Sequence, residues 1–412
     1  MTTYNTHTLS NGLRIIHRPT PSPVVFCGFE INAGTRHEQP GDEGLAHFCE
    51  HVTFKGTERR RSWHILNCLE SVGGELNAFT NKEDTVFYAA ILNDHLPRVV
   101  DLLCDIVMHS TYPQHEIDKE VAVICDEIES YNDTPTELIF DDFENIIFQG
   151  HPLGHNILGE ASRVRQFTTT DALRFVRRYY HPQNMVFFAD GNISFPRLIR
   201  LLEKNLEHIE PLEPIENIEL PAPPENLSAP SSPVIIEKHT HQSHVMVGTR
   251  AFSIHHPLRM PLYLLNNMLG GPGMNARLNI SLRERNGLVY TVESSMTTHT
   301  DTGLWCIYFG CDPHDVNHCL RLVRLELNQF MQQPLTERQL NAAKKQLKGQ
   351  IGIACDNREQ FALDFGKSYL HYGWEKDVER LLQHIDDITP QQIQQTAQLL
   401  FAPQRLTTLI YR

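Results

Sequence analysis

No run in these 412 residues approaches the roughly 18 consecutive apolar positions that a membrane-spanning helix needs. Positive charge is scarce as well. Against 50 Asp and Glu stand 36 Lys and Arg, a net charge of -14, which disfavours nucleic acid and anionic membrane surfaces as partners. Cys-x-x-Cys does not occur among the nine cysteines (27, 49, 68, 104, 125, 306, 311, 319 and 355). Their odd number and apolar settings exclude a disulfide framework and a structural zinc knuckle, and they read as reduced, mainly buried thiols. There is no Gly-x-Gly-x-x-Gly after a strand and no Gly-x4-Gly-Lys-Ser/Thr, so a nucleotide-binding fold is disfavoured. The first ten residues have neither a basic-then-apolar signal pattern nor an Arg-rich amphipathic one. The expected mature start is therefore Met1 and the expected location cytoplasmic.

What is present is a core. With 41% hydrophobic and 21% charged residues the chain is globular, and its length calls for two or more packed units. The acidity is uneven: residues 1 to 215 hold 18 basic against 31 acidic side chains, and residues 216 to 412 hold 18 against 19. Residues 101 to 150 alone carry 13 acids and one base, Lys119. This is either a solvated acidic helix face or an attractor of basic partners.

Seven of the 24 prolines fall between Pro211 and Pro233. Proline fixes φ and removes a backbone donor, so no helix or central strand continues through this stretch. It reads as a linker (211–233) between an N-terminal domain (1–210) and a C-terminal domain (234–412). The halves echo one another: Asp84-Thr-Val-Phe-Tyr-Ala-Ala-Ile-Leu-Asn-Asp94 returns as Asp301-Thr-Gly-Leu-Trp-Cys-Ile-Tyr-Phe-Gly-Cys-Asp312, and Tyr180-His-Pro-Gln-Asn184 as Phe401-Ala-Pro-Gln-Arg405. A near-constant offset of 217 to 221 residues points to duplication of one fold. In the first half, 23–34, 75–80 and 85–92 read as strands. Helical periodicity covers about 44–55, 62–72, 95–109, 114–131, 135–148, 169–180 and 195–206. Clustered strands followed by helices give the expected class, α+β, with two duplicated α/β sandwich domains.

The densest chemistry lies in Gly44-Leu-Ala-His47-Phe-Cys49-Glu50-His51-Val-Thr-Phe-Lys55. On a helix His47 and His51 are one turn apart on one face, where two imidazoles hold one zinc ion, and Glu50 lies on the same side. His-x-x-Glu-His is the order found in inverzincins. With its flanks, this run closely resembles the zinc-site helix of the pitrilysin, insulin-degrading enzyme and mitochondrial processing peptidase family, in the half-length bacterial-type class.

The resemblance implies a zinc metalloendopeptidase whose third ligand is a Glu some 75 residues past the second His. Val121-Ala-Val-Ile-Cys-Asp-Glu127 fits, with Glu127 at 51 + 76. Two neutral imidazoles and a carboxylate leave the fourth zinc position to water, and Glu50, beside it and not a ligand, would take its proton as general base. Glu120, two helical turns before Glu127, matches the accessory carboxylate that orients the site. Gly73-Gly-Glu-Leu-Asn77-Ala78-Phe79-Thr80 resembles the edge strand to which a peptide adds by backbone hydrogen bonds. This assigns Asn77, Ala78 and Phe79 to substrate binding; read alone, the segment is also an ordinary strand after a Gly turn.

Arg283 and Tyr290, seven residues apart in Arg283-Glu-Arg285-Asn-Gly-Leu-Val-Tyr290, resemble the pair that grips substrate and helps stabilise the tetrahedral oxyanion. Arg285 is a rival at the surface. The C-terminal half has no His-x-x-Glu-His, so one Zn²⁺ per chain is expected. Full-length relatives close a chamber from four such domains. A half-length chain is therefore expected to pair, as a homodimer completing its sites in trans, the alternative being a noncatalytic or partner-dependent subunit of a heterodimeric processing peptidase. Cys49, where many relatives have an apolar residue, is either a packed small hydrophobe or a modifiable thiol.

Overall fold

A computed structural model describes residues 3–209, 222 and 232–412. Most of the expected linker (211–233) lies outside the described residues. The described residues fall into two compact units, one drawn from 1–130, 155–220 and 354–378, the other from 131–154, 221–353 and 379–412. Each unit thus includes a segment from the opposite half of the sequence.

The first unit is built on a six-stranded sheet of order β1-β2-β6-β3-β5-β4. Its strands are β1 (Asn5–Thr8), β2 (Arg14–Pro19), β3 (Val24–Ile31), β4 (Glu75–Thr80), β5 (Thr85–Leu92) and β6 (Met185–Gly191). Its helices are α1 (Leu45–Thr53), α2 (Ser62–Glu70), α3 (Leu96–His109), α4 (Gln114–Asn132), α6 (Ala161–Val164), α7 (Thr169–Tyr179), α8 (Phe195–Leu206) and α12 (Arg358–Tyr372). Side chains alternate across a strand, and here both faces are covered. Cys27, Phe29, Phe87, Ala89, Phe187 and Ala189 join one core with α1, α3 and α8. The intervening Val86, Tyr88, Val186 and Phe188 join a second core with Phe361, Ala362 and Phe365 of α12. Burial on both faces is why these strands read as continuous apolar runs.

The second unit repeats the plan. Its strands are β7 (Val234–Ile236), β8 (Ser243–Ala251), β9 (Val289–Thr298), β10 (Gly303–Cys311) and β11 (Thr407–Tyr411), in the order β7-β11-β8-β10-β9. The pair β7/β11 is parallel, as is β2/β6, and the remaining pairs after each are antiparallel in both sheets. The echoed segments 84–94 and 301–312 are β5 and β10, in matching places. Helices α9 (Arg259–Gly270), α10 (Val316–Gln332), α11 (Glu337–Ala354), α13 (Val378–Asp386) and α14 (Pro390–Leu400) belong to this half of the sequence. One sheet face is covered by α5 (Pro135–Ile147), whose Ile139, Phe143 and Ile147 pack with Met246, Leu304, Cys306 and Tyr308. Tyr411 of β11 donates to Asp142 of α5 at 2.6 Å. The two-domain α+β architecture is thus as expected, but the units are not the plain halves 1–210 and 234–412. Each sheet buries its second face under a helix that the chain supplies from the other half.

Among the described residues no helix is long and apolar enough to cross a membrane.

Candidate metal centre

Helix α1 is amphipathic by necessity. Leu45, Ala46, Phe48, Cys49 and Val52 enter the core, which turns His47, Glu50 and His51 to the other side. Its start is fixed by Gly44, whose φ of +95° suits glycine. A Cβ there would meet the Leu158 carbonyl oxygen at 2.8 Å. The buried Glu38 carboxylate accepts from the Gly44 and Ala46 amides at 3.1 and 2.7 Å, and pairs with His155 Nε2 at 2.8 Å. A carboxylate at a helix N-terminus satisfies orphan donors and complements the dipole. Helix α4 buries Ile117, Ile124, Cys125 and Ile128 and thereby presents Glu120 and Glu127 to α1.

The structure brings His47, His51 and Glu127 together, one ligand atom of each lying within 4.8 Å of the others. His51 Nε2 is 3.2 Å and His47 Nε2 3.8 Å from Glu127 oxygens. Tetrahedral zinc with bonds of about 2.0–2.2 Å sets its ligand atoms about 3.3–3.6 Å apart, so this donor set fits the metal. His51 Nδ1 faces Glu120 Oε1 at 3.1 Å, and Glu120 Oε2 pairs with Lys55 at 2.5 Å. A carboxylate only accepts, so Nδ1 donates to Glu120, and Nε2, the other ring nitrogen, is turned toward Glu127 as the atom that would meet a metal. His47 Nδ1 is buried without a hydrogen-bond partner, so packing orients that ring. Glu127 is 45% exposed while the His47 side chain is 8% exposed, and the centre opens on the Glu127 side.

Burial and the neighbouring His51 push His47 down to about 4, toward the neutral, metal-binding form. Burial alone would lower His51 too, but hydrogen bonds to Glu120 and Glu127 outweigh it and raise this histidine to about 9. Burial holds Glu50 above the ordinary carboxylate range. Thr80 Oγ1 donates to Glu50 Oε2 at 2.6 Å, which fixes one carboxylate oxygen. Sequence reasoning quoted Thr80 but did not single it out, and it missed Glu38 and Lys55 as supports.

Glu120 is thus placed to act on a bound metal through His51. Glu120→Ala is expected to weaken zinc binding about 10–100-fold, measured by competition with a chromophoric chelator. Unchanged affinity would reduce Glu120 to a link between helices.

Asn77, Ala78 and Phe79 lie on β4, which pairs with β5 alone and forms the sheet edge. Ala78 and Leu76 pack on the α1 side, whereas Phe79 packs on the α12 side. Arg283 sits in a single π-helical turn (Asn279–Glu284) of the second unit, its guanidinium 5.8 Å from the centre of the Tyr290 ring. Tyr290, in edge strand β9, is 81% exposed. These two therefore do meet, and Arg285 is exposed beside them. Cys49 is buried, with its Sγ 3.9 Å from the Ala172 carbonyl oxygen. Burial pushes its thiol well up, so it packs as a small hydrophobe. A second cluster, Asp312, His314 and Asp315, has no buried member.

Residues 14–161 match the family described as Insulinase (Peptidase family M16), and residues 166–347 match the one described as Peptidase M16 inactive domain. A Bacillus subtilis relative named uncharacterized zinc protease YmxG is 30% identical over 405 residues, covering 98% of this chain and 97% of that protein. The chain belongs to peptidase family M16. Another relative, the mitochondrial-processing peptidase subunit beta of Bos taurus, is 29% identical over 94% of this chain and 80% of its own length. The fold is that of a protease from Helicobacter pylori, with a TM-score of 0.92 at 20% identity over 100% and 99% of the two chains. The M16 homologues named zinc proteases support a metallopeptidase and imply zinc. The inactive-domain description fits a second half that lacks His-x-x-Glu-His.

Proposed function

We propose that this chain is a zinc-dependent metalloendopeptidase that hydrolyses peptides or unfolded polypeptide segments inside a chamber closed by dimerisation. The observation that carries the reading is the convergence of His47, His51 and Glu127 with Glu50 held beside them. One zinc per chain, held by these three residues, would polarise the scissile carbonyl and lower the pKa of a coordinated water to about 7. Glu50 is the general base: Thr80 occupies its Oε2, which leaves Oε1 to receive the proton and return it to the leaving amine. Glu120 fixes the tautomer and direction of His51. The β4 edge at Asn77, Ala78 and Phe79 binds extended substrate through backbone groups, which selects unfolded chain over sequence. Arg283 offers fixed positive charge and Tyr290 a neutral donor to the oxyanion.

Because Arg283 and Tyr290 stand exposed on the second unit, each site in a symmetric dimer is completed by the partner's pair. Mixing Glu50→Gln protein with Arg283→Ala protein is then expected to recover activity that neither has alone, read as turnover of a quenched peptide. No recovery would count against sharing. The reading as a whole is tested by zinc content and peptide-library cleavage: about one zinc per chain with turnover supports it, and absence of zinc overturns the site.

The relative named as a processing-peptidase subunit supports a second reading, a partner-dependent subunit. In that case the purified chain binds zinc but cleaves no peptide until a related subunit is added.

A further inference from the structure

In the second unit the run Arg285-Asn286-Gly287-Leu288 sets Asn before Gly, a pair suited to tight turns. Here it closes the π-helical turn that carries Arg283. Gly287, with a φ of +62°, donates its amide to the Arg283 carbonyl at 2.8 Å, and the Leu288 amide reaches the Leu282 carbonyl at 3.0 Å. This glycine cap ends the helix and directs the chain into β9 and Tyr290.

The remaining carbonyls account for the unusual winding. An α-helix would pair the Arg285 amide with the carbonyl of Ser281, four residues back. That amide bonds Ile280 instead, five residues back, at 3.0 Å. The Ser281 carbonyl is then served by the Asn286 side-chain amide, at 2.7 Å. Two neighbouring carbonyls thus compete for a single backbone donor, and the Asn286 amide leaves that donor to Ile280. Without it, Ser281 would draw the Arg285 amide back and tighten the turn. Ser281 and Leu282 are buried, so the inner side of the turn is held and a change of winding must show on the outer side. There Arg283 emerges, 41% exposed, with its guanidinium 5.8 Å from the centre of the Tyr290 ring. Single π-turns are frequent at functional sites.

We propose that Asn286 is a positioning residue: by holding the Ser281 carbonyl it keeps the turn in its π winding, and so keeps Arg283 against Tyr290. Its consequence for catalysis rests on the oxyanion role given to that pair under the peptidase reading, so the test includes a readout besides turnover.

Asn286→Leu keeps the bulk of the side chain and removes the donor, whereas Asn286→Gln keeps a donor on a longer arm. Hydrogen–deuterium exchange of residues 279–290, followed by mass spectrometry, is expected to quicken about tenfold in Asn286→Leu and less in Asn286→Gln. On a quenched peptide Asn286→Leu lowers kcat about tenfold with KM within about twofold of wild type, and Asn286→Gln recovers part of the loss. In the Arg283→Ala background Asn286→Leu costs nothing further, because a residue that acts through another does not add to it; a merely structural role would add. Unchanged exchange, an unchanged kcat where Arg283→Ala lowers it, or an equal loss with and without Arg283 overturns the proposal. If wild type cleaves nothing, or Arg283→Ala costs nothing, the peptidase reading or the oxyanion role falls, and the exchange result still decides whether Asn286 holds the turn.

Discussion

Glu50→Gln is expected to lower kcat/KM on a quenched peptide by about 10²–10⁴-fold, the usual worth of a positioned general base, or about 3–5 kcal/mol of barrier. The substitution keeps the size of the side chain and an oxygen to accept from Thr80, yet it removes the carboxylate proposed to take the proton. His47, His51 and Glu127 are untouched, so zinc content should equal that of wild type by elemental analysis. Joint loss of metal and activity would mean that Glu50 holds the site together. Retained activity would move the base elsewhere.

The other large effect concerns stability. Asp84 is fully buried; its oxygens bond Lys367 Nζ at 2.8 and 3.0 Å and the Asn81 amide at 2.9 Å. Removing Lys367 leaves a buried charge with only His371, at 3.7 Å, as a counter-group among the described residues, and breaking a buried pair costs about 3–5 kcal/mol. Lys367→Met should therefore shift urea unfolding strongly, while Asp84→Asn with Lys367→Met should recover much of the loss. A double variant as unstable as the single one would show that the charge pair itself matters little.

The pH dependence has a definite sign. Burial alone would raise Asp84, but Lys367 and His371 outweigh it and hold the carboxyl well below its usual range. Its contribution is complete above the unfolded value of about 3.9 and is lost as pH falls from there toward the folded value. Acid unfolding of Asp84→Asn should accordingly be less steep below about pH 4.

Local patterns carried most of this molecule into the sequence. The strands at 75–80 and 85–92 fall at their expected bounds, because β-branched and aromatic runs bounded by Asn, Asp and Gly leave little choice. His47, Glu50 and His51 were legible because one helical turn is a fixed spacing. Glu127 was found by resemblance, since nothing local ties position 127 to position 51. The supports escaped for the same reason. Glu38 caps α1 from several residues upstream, across a loop with no Ser, Thr, Asp or Asn signature at the cap itself. Thr80 reaches Glu50 only because β4 lies beside α1. Strand β6, with both faces buried, gives no alternation to read. Glu30 of β3, 2% exposed with its Oε2 unpartnered among the described residues, looks in sequence like one polar residue in a strand, and only the approach of α12 at Gly366 makes it unusual.

The reciprocal placement of α5 and α12 bears on how the chain is made and cut. Neither half of the sequence contains a complete layer set for its own sheet, so a fragment ending near residue 210 leaves the Phe188 and Val186 face bare. During synthesis the first sheet must wait for residues 358–372 before that surface is covered. Expression of the half that carries His47, His51 and Glu127 alone should yield an aggregation-prone product, and trimming this protein to that half is closed off by its own topology.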